Sequence, residues 1–503
     1  MSLKNSYYVS SFFWSTLSKV LTAIVGFLSV PLLLGFYGKA EYGILAIATA
    51  CNGYMQLLDL GMNIGTVRFF SQWRAEGKNE LINRVARTNI TFYGLIAIVN
   101  IIGLVGLALW GEGLFSVTHE QFLLLRTCLL IIALFSVLSW ETTTFNQLLI
   151  ADKQMAFTMQ MQCIITVLKG LLVAMVLLFK LPLTTYFFFL TGVLTLLLIP
   201  YIIRCRKYNL INSIRPATYW NDFKVVITFS LSLFLLSLFQ STATQSRPIL
   251  LSMFAANGAT AVTDFRIIEV VPQMIIMIGG TFSGMFLPKT SEMVARKDEK
   301  AIKDFAYKWT TMTTIVVACL CFPVILCAKE VLIAYVGTDY AHLSVWLIIW
   351  TVTVLIQMHT TPGHALVLAY GKTKLLVQVT SVACICSMLL NVLLCKYFNV
   401  GSAIIAYFLY VCTIIGLYYT VFYKKLLHLS RLRLFLCFIK PTLIGAVLCG
   451  VVFLIPISDK LFASMNERVA YLLICVIKAL IWLLPYVVIL VALRIVDFKA
   501  LRK

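Results

Sequence analysis

Residues 10–68 read SSFFWSTLSKVLTAIVGFLSVPLLLGFYGKAEYGILAIATACNGYMQLLDLGMNIGTVR. Two apolar runs, 10–34 and 42–66, flank a short stretch containing Gly35 and Gly38. A helix needs roughly 20 mainly apolar residues to cross a bilayer, so each run is long enough for one crossing. The first run exceeds the apolar segment of a secretory signal, and no small-residue cleavage site follows it, so no cleavable leader is expected. The stretch therefore reads as a pair of membrane-spanning helices joined by a tight turn.

Working outward, the same pattern fills the chain. Of 503 residues 61% are apolar and 12% charged, and mean hydropathy is +0.94. Soluble domains lie nearer half apolar and a quarter charged. Further runs at 88–110, 122–146, 156–179, 183–203, 224–254, 262–287, 309–328, 343–369, 375–397, 400–423, 436–456 and 469–493 predict an all-α polytopic membrane protein with about 14 transmembrane helices. The loops between them are too short to house an extramembrane catalytic domain.

The net charge of +21 is concentrated in alternate loops. The stretch 67–87 carries Arg68, Arg74, Lys78, Arg84 and Arg87, and 204–224, 288–308 and 424–440 are similarly basic. The stretches 35–41, 111–121, 255–261 and 457–468 are poor in Lys and Arg. Cytoplasmic loops carry such an excess, so both termini are expected in the cytoplasm, and the charge does not point to nucleic acid. The fourteen cysteines form no CxxC pair, and the five histidines never stand at metal-ligand spacing with a cysteine. Neither disulfides nor a structural metal is expected, and no Walker loop, GxSxG or HExxH signals catalysis.

An internal repeat organises the chain. Pro31 closes the first span and Pro248 lies near the end of the seventh; each precedes a Gly-containing outer loop, a long span and a basic inner loop. Two six-helix lobes, 1–205 and 206–424, are expected, followed by two C-terminal helices and a cytoplasmic tail in 425–503. A parallel repeat of this kind places the substrate path between transporter halves.

Polar residues recur every three or four positions in four spans: Ser11, Ser15, Ser18, Lys19 and Thr22; Asn52, Gln56, Asp59, Asn63 and Thr66; Ser237, Ser241, Thr244 and Arg247; Arg266, Glu269 and Gln273. Small hydroxyls in such stripes serve helix packing. Amides and charges are costly in hydrocarbon and face a wet cavity or each other. Lys19, Lys169, Arg247 and Arg266 are the cations that would line a path for an anionic cargo; pairing of Lys19 with Asp59 or of Arg266 with Glu269 is the structural alternative. Diphosphate is a group that Arg and Lys bind, so the basic excess within the spans favours an anionic headgroup over a cationic drug. Asp59, Glu141 and Glu269 are the acidic candidates for a coupling ion. His359 and His364 flank Pro362-Gly363 and read as a kinked helix, with a proton-sensitive gate as the alternative.

The segment from Leu34 to Arg68 also carries a resemblance. LGFYGKAEYG followed by LLDLGMNIGTVRFF is similar to the opening of bacterial oligosaccharide flippases, the polysaccharide transporter branch of the multidrug/oligosaccharidyl-lipid/polysaccharide exporter superfamily. The matching residues are Leu34, Gly35, Tyr37, Gly38, Tyr42, Gly43, Asp59, Leu60, Gly61 and Arg68. The resemblance implies transfer of an undecaprenyl-pyrophosphate-linked oligosaccharide, an O-antigen or capsule repeat unit, from the inner to the outer leaflet of the bacterial cytoplasmic membrane. It implies alternating access, a polysaccharide polymerase as protein partner, and no cofactor beyond a proton or sodium coupling ion. The competing readings are a lipid II flippase, a cation-coupled multidrug exporter and a membrane-embedded glycan polymerase or ligase.

Overall fold

The computed structural model describes residues 3–371, 374–455, 465–493 and 495, and the described chain is all helix and turn. In order the helices are α1 (Leu3–Met55), α2 (Met62–Ala75), α3 (Asn79–Trp110), α4 (His119–Ala151), α5 (Met155–Phe179), α6 (Leu183–Thr195), α7 (Leu198–Lys207), α8 (Trp220–Phe254), α9 (Gly258–Ala295), α10 (Glu299–Leu326), α11 (Ala328–Val336), α12 (Ser344–Met358), α13 (Thr361–Ala369), α14 (Lys374–Phe398), α15 (Val400–Leu417), α16 (Arg431–Phe453) and α17 (Glu467–Ala492). A π turn, Tyr418–Leu426, follows α15.

Polar caps fix several starts by supplying acceptors to the unpaired first-turn N–H groups. Thr118 opens α4 in a reciprocal pair with Gln121. Asp298 opens α10, Ser430 opens α16 and Asn466 opens α17.

Eleven stretches among the described residues are long and apolar enough to cross a membrane. The first, Phe13–Asp59, is 47 residues long and contains both crossings of the opening pair, with a backbone break at Gly38 (φ 76°). Counting it as two, and adding α8 and α9 at 35 and 38 residues, gives the fourteen crossings that the apolar runs predict. The expected sixth crossing divides into α6 and α7, and the tenth divides into α12 and α13 at His359–Thr360. The apolar faces look outward, with Ile102, Leu134, Leu393 and Val488 each about two-thirds exposed, as residues facing lipid tails would be.

The second crossing ends sooner than its hydropathy indicates. The run continues to Thr66, but the chain tightens into a 3₁₀ turn at Gln56–Asp59 and then passes through two left-handed residues, Leu60 (φ 52°) and Gly61 (φ 73°). Asn63 and Thr66 therefore belong to α2 and do not continue the polar stripe of the preceding span.

Chain contacts form two compact units, Met1–Thr263 and Asp264–Lys503. The first has a core around Phe70, Tyr93, Trp140, Leu149 and Phe223. In the second, α10, α16 and α17 meet through stacked rings: Phe322 lies 5.4 Å from Trp482, and Trp482 lies 4.5 Å from Tyr486. Trp482 Nε1 and Tyr486 Oη donate to the backbone carbonyls of Gly445 and Pro441 at 3.0 and 3.2 Å. The Lys/Arg-poor stretch 457–468 lies largely outside the described residues.

Candidate functional site

The motif residues build the turn and the break that frame α1. Tyr37 donates its hydroxyl to the Leu181 carbonyl at 2.9 Å, tying the opening turn to the α5–α6 connection, and Tyr42 is buried. Gly35 has open space where a side chain would stand. A Cβ on Gly43 would lie 2.0 Å from the Ala259 carbonyl oxygen, so glycine here lets α1 touch the start of α9. Gly61 meets two demands: its positive φ, and the Ser230 carbonyl oxygen 2.9 Å from where a Cβ would sit.

Asp59 sits at that break. Its Oδ2 accepts the Asn63 N–H at 3.1 Å in the first turn of α2, and its Oδ1 accepts the Tyr93 hydroxyl at 2.6 Å. A carboxylate at a helix N-terminus is favoured by the exposed N–H groups and the helix dipole. Arg68, also in α2, lies with its guanidinium carbon 4.2 Å from the Phe229 ring centroid, a cation–π contact. The Lys19–Asp59 pair weighed from sequence is not formed.

The cations separate into held and open groups. Arg266 pairs with Glu269 at 2.6 Å, one helical turn away, as the structural alternative foresaw. Arg247 is buried and donates Nε to the Thr244 carbonyl at 3.1 Å. Lys478, in the last span, pairs with Glu330 of α11 at 2.5 Å. Lys19 and Lys169 have no ion-pair partner among the described residues. They belong to the same helix seam. Thr22 and Thr166 share a hydroxyl–hydroxyl hydrogen bond of 3.3 Å between α1 and α5, and Val25 lies over Gly170, so the two helices run parallel there. Lys19 precedes Thr22 by one turn and Lys169 follows Thr166 by one turn. The two lysine positions thus stand on either side of a pair of hydroxyls, about 9 Å apart along the axis at 1.5 Å per residue, a span that two long side chains can close on one group.

A second polar seam joins α3 to α4. Gln147 donates to the Tyr93 hydroxyl at 2.8 Å, and Asn89 donates to Gln147 at 2.9 Å and to Thr144 at 3.2 Å. Asn100 donates to Ser136 at 3.3 Å. Trp140 stacks on Tyr93 at 5.8 Å. Glu141 lies over Gly94, its Oε1 3.6 Å from where a Cβ would stand. Tyr93, Asn89 and Gln147 are fully buried and were not among the residues singled out from the sequence. The signal was present in part: amides within apolar runs are expensive and mark sites, and Asn89 and Asn100 stand in such a run, with Gln147 just past the end of another.

His359 and His364 each meet a tyrosine at the π turn. His359 Nε2 lies 3.1 Å from Tyr419 Oη, and His364 Nδ1 lies 2.7 Å from Tyr418 Oη. They flank the break between α12 and α13, so the expected kink is a full interruption with Pro362 in the first turn of α13.

The sequence profile of the family described as polysaccharide biosynthesis protein matches residues 8–294, more than half of the chain. The chain belongs to that family. Among solved structures, it is similar to a lipid II flippase MurJ in an inward closed conformation, at 13% identity and a TM-score of 0.67, covering 95% of this chain and 97% of that one. It is similar to an inward-facing multidrug resistance MATE family transporter of the MOP superfamily, at 14% identity and a TM-score of 0.62, covering 78% and 92%. The Vibrio cholerae MATE transporter VcmN in its bent form follows at 13% identity and a TM-score of 0.51, covering 82% and 95%. No curated protein matches the sequence. The fold shared with these structures is an all-helical polytopic membrane fold. The matched range contains Lys19, Asp59, Glu141, Lys169, Arg247, Arg266 and Glu269, while His359 and His364 lie beyond it.

Proposed function

We propose that this protein carries an undecaprenyl-pyrophosphate-linked oligosaccharide from the inner to the outer leaflet of a bacterial cytoplasmic membrane by alternating access. Both termini lie in the cytoplasm, and a polysaccharide polymerase uses the delivered unit. One observation carries the choice of cargo: Lys19 and Lys169 flank the Thr22–Thr166 hydroxyls on the α1–α5 seam with no carboxylate paired to either among the described residues. A basic residue at a helix centre costs about +2.5 to +3.5 kcal/mol on insertion scales. A polyanionic headgroup passing the seam offsets that cost with charge-assisted hydrogen bonds. Membership of a polysaccharide biosynthesis family supports the saccharide part of the cargo.

The test is complementation of a strain lacking this protein, with surface polysaccharide measured and protein level checked by blot. Lys19→Gln and Lys169→Gln each lower polysaccharide several-fold, the double variant abolishes it, and Lys→Arg at either position retains most of it. A double Gln variant made at normal level that restores full polysaccharide overturns the headgroup assignment. Rescue by the wild-type protein of a strain depleted of its lipid II flippase, without effect on surface polysaccharide, would replace the oligosaccharide by lipid II as cargo.

A further inference from the structure

The α3–α4 seam holds more hydrogen-bond acceptors than donors. Glu141 Oε2, Asn89 Oδ1 and Asn100 Oδ1 are each buried with no donor among the described residues. A buried acceptor without a donor costs free energy, and three in one seam is a consistent imbalance. An anion would deepen it. A proton on Glu141 corrects it at the carboxyl, because a protonated carboxyl becomes an O–H donor.

The two carboxylates of this region differ in their hydrogen bonds. Asp59 accepts from the Tyr93 hydroxyl and from the Asn63 N–H at the start of α2. Glu141 has no such donor on Oε2. No basic side chain of the elements packed on α4, which are α1, α2, α3, α5, α6 and α7, pairs with Glu141 among the described residues. The titratable neighbours are Tyr93, beside Gly94, and Asp59 through it. Sodium fits less well, because it needs several oxygens converging on one point. Asn89 and Asn100 stand eleven residues apart on α3, about 16 Å along the axis at 1.5 Å per residue.

We infer that Glu141 is the proton-binding site of the α3–α4 seam, and that the proton it takes up and releases at Oε2 is the coupling ion for transport. The coupling half of this inference rests on the flippase reading above. The Tyr93–Gln147–Asn89 chain holds the seam closed around the carboxyl.

Infrared difference spectra of the purified full-length protein, acid minus alkaline, test the site without any cargo. The wild type shows a carboxylic-acid carbonyl band that titrates with pH and is unmoved by sodium. Glu141→Gln removes it, Asp59→Asn leaves it present, and Tyr93→Phe shifts it. In cells, Glu141→Gln made at normal level lowers surface polysaccharide at least tenfold, and Glu141→Asp retains part of it with a displaced pH dependence. A spectrum unchanged by Glu141→Gln, or a band that responds to sodium at fixed pH, overturns the proton site. A lost band with undiminished polysaccharide overturns the coupling role. If the wild type fails to restore polysaccharide, the flippase reading falls, while the spectrum still decides the site.

Discussion

At Gly43 a single methyl group is enough to separate two helices. The sequence shows this glycine as one residue of a motif; that it presses α1 onto the Ala259 carbonyl was not legible, because that partner lies far away in the chain. Overpacking a tight contact costs about 1–3 kcal/mol, so Gly43→Val lowers the unfolding temperature of the detergent-purified protein, whereas Gly35→Ala, with open space around it, leaves it unchanged. Lys478 gives the converse lesson. It stands in the middle of an apolar run, and the structure supplies Glu330, with both side chains under one-fifth exposed. Removing one member of a buried pair strands the other charge. Lys478→Met is therefore expected to cost roughly 3 kcal/mol, and adding Glu330→Gln recovers much of that loss in the same thermal measurement.

Helices were read from apolar length, and length is blind to dihedral angles. Helices α3, α4 and α5 contain their predicted spans because those runs end where glycine, proline or charge ends them. The break at Leu60–Gly61 escaped because Leu60, Met62 and Ile64 keep hydropathy high across it. Its cause is local: Asp59 supplies a cap to α2, and Gly61 accepts a left-handed backbone beside Ser230. A side chain in the left-handed region costs about 1–2 kcal/mol, before the clash with the Ser230 carbonyl. Gly61→Ala is thus expected to destabilise the protein more than Gly26→Ala, which has open space in mid-helix. Proteolysis of the α2 region in detergent, faster for Gly61→Ala than for wild type, checks the same point at the level of the element.

For the whole molecule, charge asymmetry decides orientation. Reporter fusions at Lys78, Lys300 and Arg431 are expected to read cytoplasm, and one at Glu112 the opposite side; any reversal would break the fourteen-span arrangement. The basic loops of the first unit show where part of this charge goes. Arg74 pairs with Asp152 at 2.9 Å, Arg84 pairs with Asp222 at 3.1 Å, and Arg204 donates to Gln154 at 2.7 Å. Part of the positive excess is structural and clasps consecutive loops together. The class of fold and the number of crossings were legible because the bilayer imposes one length on every helix. The α3–α4 seam was not, because its members are ordinary amides and tyrosines whose meaning appears only when two helices register them against each other.

The Glu330–Lys478 pair spans 148 residues of chain, and a ribosome makes them in sequence. At about 5–20 residues per second, Glu330 is made roughly 7–30 s before its counter-charge is synthesised. Throughout that interval the nascent second unit carries a carboxyl awaiting the last helix, so α17 is the element whose arrival completes it. A message truncated before codon 478 yields a chain that never loses that exposed mark. Such products should be cleared by membrane proteolysis much faster than full-length protein, and Glu330→Gln should lengthen their lifetime.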